Sequence, residues 1–128
     1  MILADTSIWI EFFRGKNRKI AAHFRELLDA DLVILAAPVK IEILAGSSRS
    51  NLRTLRRVLS ALPNYYPEQR AWETIDRWVD EAIIAGERFG FGDLLIGAIA
   101  VQQKATLWSL DSDFQRMQKL GWFRLHQI

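Results

Sequence analysis

MILADTSIWIEFFRG, residues 1–15, is the stretch that decides the predicted fold. Its apolar run at residues 2–4 ends abruptly at Asp5, and an apolar pattern with helical spacing follows Thr6 and Ser7. A continuous apolar run is typical of a strand buried on both faces, and Thr or Ser before a periodic run is typical of a helix start. Asp5 is therefore expected at the carboxyl end of a central strand, where α/β folds bind their ligands. A plain helix cap fits the same residue.

The composition indicates one globular domain, residues 1–128, with a substantial core. Half of the 128 residues are hydrophobic and a quarter are charged. The chain has no cysteine, which excludes disulfides, thiolate metal sites and cysteine nucleophiles. No apolar run approaches the ~18 residues of a membrane span, and no secretory leader is recognisable, so we expect a cytoplasmic protein without a membrane segment. A net charge of +2 permits a polyanionic partner.

Apolar runs and helical periodicity alternate along the rest of the chain. Strands are predicted at residues 32–37, 64–67, 105–110 and 123–125. Helices are predicted at residues 20–29, 38–46, 51–62 and 68–86, from 93 onwards, and at 111–120. This order predicts an α/β fold with a central, mostly parallel twisted sheet of four to five strands flanked by helices.

Four acidic residues stand at the edges of these elements. Asp5 and Asp111 each follow a strand, Asp93 starts a helix, and Glu42 lies on the helix after the second strand. A parallel sheet gathers the carboxyl ends of its strands at one edge, so these acids are expected to converge there. Clustered carboxylates repel one another and take up protons unless a cation neutralises them.

Oxygen ligands without Cys or His beside them select a hard divalent ion, Mg²⁺ or Mn²⁺. Such an ion can activate water for attack on a phosphodiester. Each acid also has an ordinary structural explanation. Asp93 and Asp111 stand where helix caps stand, and Asp113 suits a helix dipole. The four acids together favour the metal site.

Four segments resemble the motifs of PIN-domain ribonucleases, and specifically those of VapC-type toxins from toxin–antitoxin pairs. They are ILADTSIWI, KIEILAG, FGDLLIGAIA and TLWSLDSDF, and they occur in the family's order across the chain. Two departures are visible: Ser109 stands where the family usually has Thr, and Gly97 stands where Ala is commoner.

The resemblance implies a Mg²⁺- or Mn²⁺-dependent endoribonuclease that acts on RNA. It also implies a homodimer and inhibition by a cognate VapB-type antitoxin. The catalytic acids it implies are Asp5, Glu42, Asp93 and Asp111. The implied metal ligands are Asp5, Asp93, Asp111 and Asp113, with Ser7 and Ser109 in supporting roles.

Basic residues on two predicted helices are candidates for holding RNA phosphates. Lys40 lies two residues before Glu42, and the others lie on or just before the helix at 51–62 with no acid among them: Arg49, Arg53, Arg56 and Arg57. Contacts to phosphate would be sequence-independent and sensitive to salt. A solvated helix face explains the same pattern equally well.

The aromatic residues are interpreted mainly as packing groups. Trp9, Phe12 and Phe13 are candidates for a groove that takes an antitoxin's amphipathic helix, with core packing as the preferred interpretation of Trp9. The other tryptophans are assigned to the core or a subunit interface: Trp72, Trp78, Trp108 and Trp122. His23 and His126 are expected to be isolated surface residues without a catalytic role.

Two other functions are compatible with the same residues. A non-catalytic RNA- or protein-binding module could keep the fold, although a site released from chemistry has no reason to retain mutually repelling acids. A PIN-like nuclease outside toxin–antitoxin systems, including one that cuts DNA, would keep the acids. Chelation, substrate comparison and a neighbouring antitoxin reading frame separate these alternatives from the toxin.

Overall fold

The computed structural model describes all 128 residues, which form four strands and seven helices. The strands are β1 (Ile2–Ala4), β2 (Val33–Ala36), β3 (Asn64–Tyr65) and β4 (Thr106–Trp108). The helices are α1 (Thr6–Arg14), α2 (Arg18–Asp29), α3 (Ala37–Ala45), α4 (Leu52–Ser60), α5 (Gln69–Ile84), α6 (Phe91–Gln102) and α7 (Ser112–Lys119). None of the helices has the length and apolarity that a membrane span requires.

All four strands are parallel and lie in the order β3-β2-β1-β4. β1 is central, with Ile2 opposite Val33 of β2 on one side and opposite Thr106 of β4 on the other. Every residue of β2 is buried, as expected for a strand that is apolar on both faces. The predicted α/β fold with a parallel sheet of four to five strands is confirmed, and the sheet has four.

Polar residues and glycine fix the helix ends next to the sheet. Asp5 caps α1 by accepting from the backbone N–H of Ile8 at 3.2 Å, and Asn17 caps α2 in the same way. Gly15 ends α1 at a φ of +67°, in the left-handed region that favours glycine. Pro38 lies in the first turn of α3, where its missing N–H costs nothing. β1 therefore runs directly into a helix whose start carries the Asp5 side chain.

Aromatic side chains fill much of the single core cluster. Trp9, Phe24 and Trp108 are buried, and Trp9 meets Phe24 edge to face at 4.7 Å between ring centroids. Trp78 is also buried and stacks on the half-buried Trp122 at 4.5 Å. The predicted packing role of these tryptophans is confirmed.

Trp72 and the two histidines lie in surroundings that the sequence did not predict. Trp72 is 45% exposed and stacks on Phe91, so of the two predicted places, core or subunit interface, it is not in the core, and the interface stays a prediction. The rings of His23 and His126 stack at 5.0 Å, with their Nε2 atoms 2.8 Å apart, and both pack against Trp108. They are not isolated, because the fold joins residues 103 positions apart.

Several predicted element boundaries also differ from the structure: the strands predicted at 64–67 and 105–110, for example, are β3 (Asn64–Tyr65) and β4 (Thr106–Trp108). Helix α6 begins at Phe91, so Asp93 lies in its first turn rather than at its start. Segment 123–125 forms one parallel bridge, between Leu125 and Leu107, instead of a strand. The α6 difference matters for the site, because Asp93 is held by a formed helical turn.

Candidate active site

The candidate site lies at the carboxyl ends of β1 and β4, which run side by side along their whole length. The backbone N–H of Asp5 donates to the carbonyl of Trp108 at 2.9 Å. Asp5 and Ser109, the residues that follow these strands, are therefore neighbours although they are 104 positions apart in sequence. This pairing joins the first and last predicted motifs.

Asp5 is a buried carboxylate, only 4% exposed, that is surrounded by hydrogen-bond donors. One oxygen accepts from the Ser7 hydroxyl at 2.5 Å and from the backbone N–H of Ile8, and the other accepts from the Ser109 hydroxyl. Burial raises the pKa of Asp5 above its ordinary value, and the bonds from Ser109 and Ser7 oppose that rise. The two serines therefore favour the charged form of a carboxylate that its surroundings desolvate.

The same two serines hold the loop that follows β4. The backbone N–H of Asp111 donates to the Ser109 hydroxyl at 2.9 Å, and the backbone N–H of Leu110 donates to the Ser7 hydroxyl at 3.0 Å. Each hydroxyl thus donates to Asp5 and accepts from the loop. Asp111 is positioned relative to Asp5 through this network.

Three further carboxylates form a compact group. Asp93, Asp111 and Asp113 each offer an oxygen, and these oxygens lie within 4.8 Å of one another. Asp93 lies in the first turn of α6, whereas Asp111 caps α7 by accepting from the backbone N–H of Asp113 at 2.9 Å. Burial, followed by the charges of Asp111 and Asp113, raises the pKa of Asp93 to about 6. The carboxylates of the group therefore repel one another, and a bound cation would relieve that repulsion.

Glu42 reaches this group from α3. Its Oε2 accepts from the Thr6 hydroxyl at 3.2 Å, and a Cβ at Gly92 would lie 3.7 Å from its Oε1. Its charge contributes to the raised pKa of Asp93. The side chain is exposed although apolar residues flank it in sequence; of these, Ile41 is itself 63% exposed and Ile43 is buried.

The predicted site residues fall into sets with different surroundings. Asp5 lies outside the group of carboxylates within 4.8 Å, and the network through Ser109 joins it to Asp111. Lys40 lies on α3, two residues before Glu42. The predicted basic residues Arg49, Arg53, Arg56 and Arg57 line a separate surface depression on and just before α4.

Arg116 is a site residue that the sequence analysis missed. It donates to Oδ1 of Asp113 at 2.6 Å and to the carboxylate of Glu87, and its guanidinium lies 4.8 Å from the centre of the Phe89 ring. No other ion pair reaches the carboxylate group. The spacing of Asp113 and Arg116, three residues apart on a predicted helix, was an available signal. The contact with Glu87 had no such signal, because Glu87 lies 29 positions from Arg116 in the sequence.

The donor chemistry of the site fits a hard cation. Its ligand atoms are carboxylate oxygens from helix starts, with no thiolate or imidazole among them. Such oxygens suit Mg²⁺, Mn²⁺ or Ca²⁺ in preference to softer metals. The raised pKa of Asp93 agrees with this, because carboxylates that repel one another without a cation hold a proton more readily.

Comparison with known proteins identifies the family. The family model for the PIN domain matches residues 2–120. The chain belongs to the PIN domain family. Ribonuclease VapC11 of Mycobacterium tuberculosis is 34% identical to this PIN chain in an alignment that covers 94% of it and 93% of the relative. The family resemblance indicated by the four motifs is confirmed.

Solved structures share the fold of this PIN chain. The structure of VapBC2 from Rickettsia felis, bound to a DNA fragment from the VapBC2 promoter, matches this chain with a TM-score of 0.81. The two chains are 18% identical, and the match covers 98% of each. VapBC-5 from Mycobacterium tuberculosis, a member of the VapBC family of toxin-antitoxin systems, matches with a TM-score of 0.67 and 16% identity over 98% of this chain and 97% of the other. At these identities the likeness establishes the fold.

Proposed function

We propose that this PIN protein is a divalent-metal-dependent endoribonuclease, the toxin of a VapBC-type toxin–antitoxin pair. The observation that carries the proposal is the group formed by Asp93, Asp111 and Asp113, which lies beside the buried Asp5 at the carboxyl edge of the sheet. A relative that is 34% identical over nearly the whole chain is named a ribonuclease, which supports RNA as the substrate.

The metal is proposed to be Mg²⁺ or Mn²⁺, held by Asp93, Asp111 and Asp113 with the support of Asp5. A bound ion of this kind supplies positive charge to phosphate oxygens and promotes attack by water. Ser7 and Ser109 orient Asp5 and favour its ionised form, since both hydroxyls donate to it. Glu42, fixed by Thr6 at the exposed side of the site, is suited to orienting the attacking water.

Cleavage should depend completely on a divalent ion, because no histidine or other neutral base takes part in the carboxylate group. Mixed cellular RNA is incubated with the protein in Mg²⁺, in Mn²⁺ and in EDTA, and new RNA ends are mapped by sequencing. We expect discrete new ends with either metal, none in EDTA, and recovery when metal is restored. DNA of matched sequence is the control substrate. Equal cleavage in EDTA, or preference for DNA, contradicts the proposal.

A VapB-type antitoxin and a second copy of the chain are the proposed protein partners. A depression of about 440 Å³ between α2 and α4, lined by Leu28, Val33, Val58 and Leu62 among others, suits apolar side chains of an antitoxin helix. Exposed apolar side chains form a stripe along α5 that begins at Trp72 and includes Val79 and Ile83. An apolar stripe of this kind supports a homodimer, because a second copy of the chain could cover it. Light scattering and co-purification with the product of an adjacent short reading frame test the two partners.

Replacing Arg116 by Ala should destabilise the metal-free protein and enlarge its stabilisation by Mn²⁺. Without the guanidinium, the Asp113 carboxylate lies beside two others with no paired cation, so a bound ion relieves a larger repulsion. The measurement is the rise in Tm between EDTA and saturating Mn²⁺. Arg124→Ala, which removes an exposed arginine without an ion pair, is the control. An equal rise in wild type and Arg116→Ala contradicts this role.

A further inference from the structure

The outward face of α4 carries a concentrated positive charge. Arg53, Arg56 and Arg57 lie on this helix, and Arg49 lies just before it. Spacings of three and one residues place Arg53, Arg56 and Arg57 on one side of the helix. No Asp or Glu occurs anywhere in residues 43–67, so the sequence supplies no acid to balance them.

None of these four arginines has a partner within the protein. The ion pairs of the chain involve Arg70 and Arg116, and no guanidinium of the α4 region donates a hydrogen bond; the one side-chain bond to these residues runs from the Ser60 hydroxyl to the backbone carbonyl of Arg57. All four are exposed. Like charges held together without counter-ions repel one another, and a bound polyanion relieves that repulsion. The α4 arginines are therefore available to an external anion.

The arginines share one shallow depression rather than pointing in unrelated directions. Its lining consists of Arg49, Leu52, Arg53, Arg56, Arg57 and Ser60, of which only Leu52 is apolar. Guanidinium groups are planar donors that match phosphate oxygens with two parallel hydrogen bonds. A protein partner generally requires an apolar centre to its interface, and this surface lacks one. Its composition favours a phosphate backbone over an acidic protein segment.

The acidic site cannot itself attract an RNA strand before the metal binds. Asp93, Asp111 and Asp113 present negative charge toward the substrate, and Arg116, the cation beside them, is already paired with Asp113 and Glu87. Affinity for the strand must come from a different surface. The face of α4 follows α3, the helix that carries Glu42, and packs against it.

We propose that the α4 arginine face, formed by Arg49, Arg53, Arg56 and Arg57, binds backbone phosphates of the RNA substrate away from the bond that is cut. The inference rests on the proposed ribonuclease function and adds the surface that holds the strand. It assigns these residues to binding and not to the chemical step. Their contribution is independent of sequence and falls as salt rises.

The test measures binding of a mixed-sequence single-stranded RNA of about 20 nucleotides in EDTA, where cleavage does not interfere. Affinity is determined over a range of KCl concentrations for wild type, Arg53→Gln/Arg56→Gln and the control Arg18→Gln/Lys19→Gln. The control makes the same change in net charge on exposed residues at the start of α2. Removal of one phosphate contact reduces the slope of log affinity against log salt by about 0.7 for a single strand.

We expect the α4 variant to bind roughly tenfold more weakly near physiological salt, with a slope reduced by about 1.4, and the control to match wild type. In Mn²⁺ the α4 variant should show a raised KM with kcat nearly unchanged. Unchanged Tm values verify folding. Equal slopes for the two double variants overturn the proposal. RNA binding that persists while binding of a poly-glutamate peptide disappears also overturns it, in favour of an acidic protein partner.

Failure of the proposed function gives a different result. In one outcome no RNA is cut under any condition, but the α4 variant alone binds RNA more weakly and with a smaller slope of log affinity against log salt. The arginine face then still binds nucleic acid, and only the nuclease assignment fails. If cleavage is metal-dependent and both double variants bind alike, the nuclease assignment holds and the arginine face is a solvated surface.

Discussion

Asp93→Asn is expected to lower metal-dependent RNA cleavage by about a hundredfold or more, on the order of the loss seen when a preorganised charge is removed from a reacting centre. Asp93 is half-buried, as Asp113 is, and its carboxylate oxygen lies within 4.8 Å of those of Asp111 and Asp113. An amide keeps the size of the side chain but offers the ion a neutral oxygen. The variant should therefore bind Mn²⁺ weakly in calorimetry and show no new RNA ends.

The same substitution should make the metal-free protein more stable. The pKa of Asp93 is raised from 3.8 to about 6 by burial and by neighbouring carboxylates, so the folded protein binds more protons than the unfolded chain between these values. Stability therefore falls as pH rises through this window. A neutral amide in place of the carboxylate carries no such penalty. At about pH 8 we expect the variant's free energy of unfolding to exceed the wild-type value by about 1–2 kcal/mol, after allowance for solvent screening.

These opposite effects distinguish a ligand from a structural residue. Denaturant titration in EDTA at about pH 4 and about pH 8 measures the difference in free energy of unfolding between variant and wild type. This gap should be small at the lower pH and larger at the higher pH. Asp29→Asn, on the exposed side of α2, is the control and should change neither activity nor this gap. Loss of both activity and stability in Asp93→Asn would indicate a packing role.

The fold was predictable because its sheet is built from short, continuous apolar runs. The runs at 2–4 and 105–110 form β1 and β4, which pair in parallel as their apolar character predicts. β4 ends at Trp108, two residues before the predicted end, so Ser109 rather than Asp111 follows the strand and meets Asp5. The order of strands and helices constrains this pairing strongly. Asp111 and Asp113 could be placed near the same edge by the same argument, since they begin the helix that follows β4.

Contacts made by side-chain reach could not be predicted in this way. Arg116 joins Asp113 to Glu87, and His23 stacks on His126, although neither Glu87 nor the His pair is set by a strand end or a helical period. The exposure of Glu42 depends on how α3 lies on the sheet, whereas its apolar neighbours in sequence favoured a less exposed side chain. Local periodicity determines faces of elements, whereas these contacts depend on how whole elements pack.

The departure at Gly97 has a packing explanation that the sequence could not supply. A Cβ at this position would lie 2.9 Å from the Phe123 ring and 3.3 Å from the Trp78 ring. Both contacts are closer than ordinary van der Waals distances. The alanine that is commoner in the family would therefore require the C-terminal segment carrying Phe123 to move. Ser109, the other departure, keeps the hydroxyl that donates to Asp5.

Asp5 presents the sharpest test of the site, because a helix cap and a catalytic carboxylate make different demands on one side chain. Asp5→Ala is expected to abolish cleavage and to cost about 1–2 kcal/mol of stability through loss of the α1 cap. Its removal also leaves the hydroxyls of Ser7 and Ser109 without their acceptor. Loss of both properties in this variant is compatible with either role.

Asp5→Asn separates the two roles, since Asn caps helices about as well as Asp. Its amide oxygen can still accept from the backbone N–H of Ile8 and the hydroxyl of Ser7, so stability should stay within about 1 kcal/mol of wild type. The negative charge beside the Asp93 group is lost, however, and cleavage in Mn²⁺ should fall about a hundredfold or more. The measurements are denaturant titration and mapping of RNA ends. Full activity of a stable Asp5→Asn protein would mean that Asp5 serves only as a cap, and the metal site would then consist of the helix-borne carboxylates alone.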